Sequence, residues 1–420
     1  MTLPVWHVDA VWVRGSPSHW LWALARYPAK QESSDSRNPA TRRTIVTPVV
    51  QTRGLYHWID NQLSPIVPGV ATVTAFQRLN TAQRDAAQFG ARDAGGTFRA
   101  GPLLIIAGAG TGKTNTLAHR VAHLILEGIS PERILLLTFT RRAALEMTRR
   151  AQRIIAAVLG EQAGSDGHSS GADVAVKLPW SGTFHSIANR LIRRNAASVG
   201  LDVNFSVLDR GDAADLMDLV RHELDFSKTE KRFPRKDTCV AIYSHRVNTR
   251  GPLADTLANV FPWCAQWEDE LTKLFRAYVE RKLANQVLDY DDLLLYWHAM
   301  AADATLAADM GGRFDQILVD EYQDTNTLQA EILKALRPSG AGVTVVGDDA
   351  QAIYSFRAAT VENILGFPAQ YEPAASVVTL EQNYRSTQCV LDAANALIAE
   401  GGRQYRKILE AIHGRGERPR

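Results

Sequence analysis

The chain has 420 residues, with 47 Lys and Arg against 45 Asp and Glu, so its formal net charge of +2 is a small difference between two large sets. That balance excludes polyanion binding by bulk charge, and 45% hydrophobic with 22% charged residues excludes disordered, collagen-like and disulfide-scaffold classes. A packed core is within reach, the length calls for two or three domains, and function has to come from local sites.

Residues 1–70 hold five of the nine Trp (Trp6, Trp12, Trp20, Trp22, Trp58) and a polar stretch from Lys30 to Arg43, without a sustained helical or strand period. They read as a poorly ordered extension or an upstream segment foreign to the fold, in preference to a partner-binding arm with exposed aromatics. From Val73 the texture changes. Asn80 to Ala94 is a helical stretch, and short apolar runs then alternate with helices: Leu103–Ala107, Ile134–Phe139, Gln316–Asp320, Val343–Gly347 and Val377–Leu380. Continuous apolar runs suit strands buried on both faces of a parallel sheet, so the class is α/β. Gly160 to Gly182 reads as a Gly/Ser/Asp-rich surface loop. Between His185 and Met310 the strand signal disappears, and the spacing of Leu271, Leu274, Phe275 and Tyr278 is that of an amphipathic helix. A helical subdomain inserted into one α/β domain is expected.

Cys239, Cys264 and Cys389 lie far apart, with no zinc-ligand spacing around them, so neither a disulfide framework nor a structural metal is indicated. No apolar run approaches the roughly 20 residues of a membrane helix, and Trp20 to Ala25 lacks the features of a signal peptide. The expectation is a protein of a reducing compartment, with no membrane partner.

Ala107-Gly108-Ala109-Gly110-Thr111-Gly112-Lys113-Thr114 follows an apolar run and opens a helix, the context a phosphate-binding loop needs. The glycines let backbone N–H groups turn toward phosphate oxygens, Lys113 reaches the β and γ phosphates, and Thr114 can ligate magnesium. The strict pattern has Gly where Ala107 stands. Ile317-Leu318-Val319-Asp320-Glu321 is an apolar strand ending in two acids, of which Asp320 can hold magnesium and Glu321 can accept a proton from an attacking water. Thr138-Phe139-Thr140, Gly182-Thr183-Phe184-His185 and Gly347-Asp348-Asp349-Ala350-Gln351 also follow strands. Loops after parallel strands emerge at one carboxyl edge, so these segments should converge on one cleft.

These residues, in this order from Leu79 onward, resemble the UvrD/Rep/PcrA group of superfamily 1 DNA helicases. Leu79-Asn80-Thr81-Ala82-Gln83 resembles the Q motif, Ala107 to Thr114 the Walker A motif of this group, whose first position is often Ala, and Thr138 to Met147 motif Ia. Gly182 to Ser186 resembles motif Ib, Val319 to Thr325 Walker B, Gly347 to Ala358 motif III, and Leu380 to Ser386 motif IV.

The resemblance implies ATP and Mg2+ as cofactors, with Gln83 reading the adenine edge and Tyr384 stacking on the base. Gln351 would sense the γ-phosphate and Arg385 would act as an arginine finger. Phe139, Tyr354 and Phe356 would stack on bases, while Thr140, His185 and Arg357 hold the strand's backbone. Arg141, Arg142, Arg149, Arg150 and Arg153 fit either a strand-tracking groove or a solvated face. Asn115 stands where the group normally carries Arg, and Ala358 where it carries Gly.

The implied architecture is a RecA-like P-loop NTPase domain over 71–187 and 309–372, with a helical subdomain at 188–308. The truncated start of a second RecA-like domain follows at 373–420, with a basic tail and nothing corresponding to motifs V and VI. The implied activity is ATP hydrolysis coupled to 3′ to 5′ movement on single-stranded DNA, or on a duplex with a 3′ single-stranded tail, in the cytoplasm at the nucleoid. The alternatives are a non-motor ATP- and DNA-binding remnant and a small-molecule P-loop kinase, and the motif III aromatics argue against the kinase.

Overall fold

The computed structural model describes residues 72–165, 177–226 and 232–417. The expectation for residues 1–70 lies outside the described residues. The central element is a six-stranded sheet. Its strands are β1 (Leu103–Ala107), β2 (Ile134–Leu137), β3 (Ser181–Gly182), β4 (Gln316–Val319), β5 (Val343–Gly347) and β6 (Ser376–Leu380). The spatial order is β6-β1-β5-β4-β2-β3, and every neighbouring pair is parallel.

Successive side chains of each strand go to opposite faces, so an unbroken apolar run feeds two cores at once. Leu104, Ile106, Leu135, Leu137, Ile317 and Val345 join one cluster with Trp297 and Leu333, while Leu103, Ile105, Ile134, Leu136 and Leu318 join another with Leu117, Val121 and Met147. The first face is covered by helices Phe184–Arg194, Tyr290–Ala302 and Thr327–Leu336, the second by Lys113–Leu126 and Arg141–Ser165.

A third cluster, built from Met217, Cys239, Ile242, Leu271, Leu274 and Tyr278, holds helices Arg210–Glu223, Lys236–Thr249, Leu253–Asn259 and Glu268–Ala284 together. These helices fall between β3 and β4 in the chain, where an insertion is expected. The helices on either side of them, Phe184–Arg194 and Tyr290–Ala302, pack on the sheet instead. Where the insertion returns to the sheet, Lys282 is buried with its Nζ 2.6 Å from both Asp289 and Asp292. Asp289 also caps helix Tyr290–Ala302 by accepting from Asp292 N.

Three elements differ from the sequence expectation. The helical stretch read as Asn80 to Ala94 is helix only over Thr81–Ala87. Gly90 follows at φ +126°, where a Cβ would come 2.4 Å from the Phe98 ring, and the chain turns into a short antiparallel pair, Ala91–Arg92 with Phe98–Arg99. The helix after β2 runs on to Ser165, inside the stretch read as a loop, and 166–176 lie outside the described residues. The strand read as Val377–Leu380 falls after the expected boundary at 373, yet it pairs along its length with β1 as an edge strand of this sheet.

Beyond β6, Gln382–Asn383 pairs in parallel with Glu410–Ala411 around helix Gln388–Ala399, which exposes Val390 and Leu397.

Candidate active site

Six loops leave the carboxyl ends of the six strands, and the motif segments lie at these strand ends, on the loops, on the helices they open, or at the flanking helix Thr81–Ala87. After β1 the chain passes through Gly108 to Gly112 into helix Lys113–Leu126, whose first N–H groups and dipole end face the loop. Gly110 and Gly112 adopt φ of +83° and +87°, a region that disfavours side chains. A Cβ on Gly112 would meet Gln83 Nε2 at 2.7 Å. Gln83 is buried and donates to Thr111 O at 2.8 Å, held in place by a reciprocal capping box with Asn80. The Q-motif amide is therefore fastened to the phosphate loop itself. Asn115 lies one turn into the helix, half-buried, and its carbonyl bonds the His119 ring.

Lys113 is mostly covered, with its Nζ 3.0 Å from Glu321 Oε2. Glu321 follows β4 in a left-handed conformation, φ +51°, a costly backbone for a non-glycine residue and one that recurs at functional sites. Gln323 donates to the same Glu321 oxygen at 2.9 Å and accepts from Asp348 N at 3.0 Å, so one buried amide joins the loops after β4 and β5. Gln351 in turn donates its side-chain amide to Asp348. Burial, and then the neighbouring Glu321 charge, push the Asp320 carboxyl up to about 7, and the same two causes push Asp324 up to about 6. Glu321 thus pairs directly with Lys113, while Asp320 and Asp324 lie near enough to feel both charges.

The segment after β6 closes on the phosphate loop. Asn383 Nδ2 donates to Ala109 O at 2.6 Å and Tyr384 N donates to Gly110 O at 2.9 Å. Asn383 Oδ1 accepts from Arg385 N and Ser386 N, fixing the turn that carries the guanidinium. Arg385 is exposed, and its Cβ lies where a side chain on Gly110 would collide. Tyr384 Oη accepts from Asn80 Nδ2 at 3.0 Å, which brings its ring to the Q-motif side.

Beside this cleft the aromatic residues form a ladder. Phe139 and Tyr354 have ring centroids 4.9 Å apart, Tyr354 and Phe356 5.6 Å, and Phe356 is 73% exposed. Thr140 caps helix Arg141–Ser165 through its hydroxyl, which accepts from Ala143 N. Arg357 ends the short turn Ser355–Arg357, which Ala358 N closes by donating to Ser355 O, and the Arg357 side chain lies outside the described residues. Burial pushes the His185 imidazole down to about 4, so it meets any ligand as a neutral ring. Arg141, Arg142, Arg149 and Arg153 are exposed, while Arg150 pairs with Glu146. The sequence reading missed Tyr290, which is 48% exposed and edge-on to His185 at 5.8 Å. An aromatic set in Leu288-Asp289-Tyr290-Asp291-Asp292 was the available signal.

The family model for the UvrD/REP helicase N-terminal domain matches residues 88–372. The chain belongs to this family. It is 38% identical over 322 residues to the ATP-dependent DNA helicase PcrA of Leuconostoc citreum, an alignment covering 76% of this chain and 40% of that protein. With the PcrA proteins of Staphylococcus aureus (strain Mu50) and Staphylococcus epidermidis the identity is 34% over 322 residues, 76% of this chain and 40% and 41% of theirs. The chain spans about two fifths of the length of these UvrD/REP relatives. Among the described residues, no helix is long and apolar enough to cross a membrane.

Proposed function

We propose that the chain is the ATP-binding part of a motor that moves 3′ to 5′ on single-stranded DNA, or on the 3′ tail of a duplex, by hydrolysing ATP. The observation that carries this reading is the loop after β5. At one end Gln351 is joined through Asp348 and Gln323 to the Glu321–Lys113 pair, and three residues later Tyr354 enters the aromatic ladder. One short segment therefore touches both the hydrolytic groups and the surface suited to stacked bases. The relatives' names, ATP-dependent DNA helicase, support the same reading.

On it, Lys113 exchanges Glu321 for the β and γ phosphates, which frees Glu321 to take the proton of an attacking water. Gln83 reads the adenine edge, Tyr384 stacks on the base, and Arg385 with Gln351 meets the γ-phosphate. Phe139, Tyr354 and Phe356 stack on bases, joined by Tyr290, while Thr140, Arg357 and the neutral His185 hold the strand's backbone.

The residues fit Mg2+: the carboxylates of Asp320, Glu321 and Asp324 outnumber Lys113, and Asp320 is pushed up to about 7 by burial and Glu321, as expected of an acid short of a cation. Asp320, the Thr114 hydroxyl and phosphate oxygens would hold such an ion. Such an ion would neutralise phosphate charge.

The domain division supporting this is a RecA-like sheet domain, its helical insertion, and the opening of a second RecA-like domain. On this reading the chain contributes ATP- and DNA-binding groups to the motor, and Arg385 meets the developing phosphate charge, a role whose loss costs about 10³–10⁵ in rate. Cytoplasmic, nucleoid-associated action follows from the same reading.

The test is DNA-stimulated ATPase of the purified chain beside Lys113→Ala and Glu321→Gln. Equal turnover in all three would sink the hydrolytic assignment.

A further inference from the structure

The segment that the sequence presents as a basic tail is built into the site. Tyr405 N donates to Asp349 Oδ2 at 2.9 Å, Ile408 N to Glu381 Oε1 at 2.8 Å, and Leu409 N to Asn395 Oδ1 at 3.0 Å. The Leu409 side chain rests on the phosphate loop, where a Cβ on Gly108 would lie 2.7 Å from it. Between these anchors the Lys407 side chain is fully shielded, with Nζ 2.6 Å from Asp348 Oδ1 and 2.5 Å from Asp349 Oδ1.

Stability alone does not account for this lysine. Three charges buried together are often no better than apolar side chains of the same volume. What the lysine does fix is the direction of the Asp348 carboxylate. Asp348 Oδ1 takes Lys407 Nζ and Ala350 N, and its Oδ2 takes the Gln351 amide. With one N–H so engaged, Gln351 keeps its second N–H and its Oε1 for other partners. Removing the ammonium would leave Asp348 and Asp349 adjacent and buried with no cation between them. One would rotate outward or take up a proton, and Gln351 would lose its fixed acceptor.

We propose that Lys407 is a positioning residue for γ-phosphate recognition: by pinning Asp348 it orients Gln351, so the segment after helix Gln388–Ala399 helps the site distinguish ATP from ADP. The proposal rests on the reading of Gln351 as γ-phosphate sensor. ADP has no γ-phosphate, so its affinity should not depend on this chain of contacts.

Calorimetric titration of the purified 420-residue chain with Mg2+ and either a non-hydrolysable ATP analogue or ADP tests it, comparing Gln351→Ala, Lys407→Met and Lys407→Arg. The expected result is that Gln351→Ala and Lys407→Met each lose about tenfold in preference for the ATP analogue with ADP affinity unchanged. Lys407→Arg, which keeps the charge, should recover part of it. Full preference in Lys407→Met alongside a lost preference in Gln351→Ala overturns the role of Lys407. Full preference in Gln351→Ala overturns the sensor reading, and with it this one. If Lys407→Met fails to fold, Lys407→Met/Asp349→Asn removes one charge of each sign and is judged by the same ratio.

Discussion

Replacing Lys282 with Met would test how the inserted helices are joined to the sheet domain. The ammonium is almost fully buried, 2.6 Å from both Asp289 and Asp292, with the Tyr278 and Tyr243 rings 4.4 and 5.0 Å away. Methionine fills much of the volume but leaves buried negative charge uncompensated. Breaking a buried pair from one side costs about 3–5 kcal/mol. For a unit of this size that is a fall of roughly 10 °C in Tm. The pH dependence adds a second handle. Burial, and then the Asp289 charge, already push Asp292 up to about 7 and Asp291 up to about 6. A carboxylate with a raised pKa keeps its proton in the folded state where the unfolded chain has lost it, so stability falls as pH rises from about 4 through 7. Without Lys282 that fall steepens, and the deficit of the variant should be larger at about pH 8 than at about pH 5. Urea melts followed by circular dichroism at both values measure it. A deficit under about 1 kcal/mol, or one equal at both pH values, would refute the account.

Two further outcomes follow from the described geometry. Phe356→Ala removes an exposed ring of the aromatic ladder, so single-stranded DNA affinity measured by fluorescence anisotropy should drop about 5–100-fold, with the melting temperature unchanged; equal affinity would remove Phe356 from the proposed interface. His123 is buried, and burial followed by the Arg120 and Arg92 charges pushes its imidazole down to about 4. Its contribution to stability is complete above about pH 6.5 and is lost as pH falls toward 4, so His123→Gln should flatten the acid limb of the stability curve, and an unaltered limb would contradict the assignment.

The strands and the phosphate loop were legible in the sequence because their signals are local. An apolar run of five residues between helices has few other readings, and Gly-Thr-Gly-Lys-Thr needs only its own neighbours to make sense. The edges of elements were less legible. Helix Thr81–Ala87 ends early because Phe98 occupies the space beside Gly90, a contact made only after the chain doubles back. The placement of β6 was hidden for a similar reason, since Ser376–Leu380 looks like any short strand until it finds β1. Within the site, the residue types at Lys113, Glu321, Gln351 and Arg385 could be read, but not what ties them together. The bond from Asn383 to Ala109 O joins positions 274 apart, and Lys407 reaches back 58 residues to Asp349. Tyr290 sits among acids that cap and anchor a helix, so its local sequence carries little signal of a ligand surface.

The spacing of the aromatic ladder sets how a strand could travel over it. A base sandwiched between two rings needs them about 7 Å apart, twice the ~3.4 Å rise between stacked bases. The rings stand at 4.9 and 5.6 Å, tilted by 45° and 37°, so none of these gaps is an open slot. On the proposed reading a base would wedge in by spreading a pair by roughly 2 Å and exchanging ring–ring for ring–base contact. Because that exchange replaces one stacking contact by another, each rung would, on the proposed reading, be a shallow resting place, and a strand drawn across the ladder would advance without having to escape a deep well.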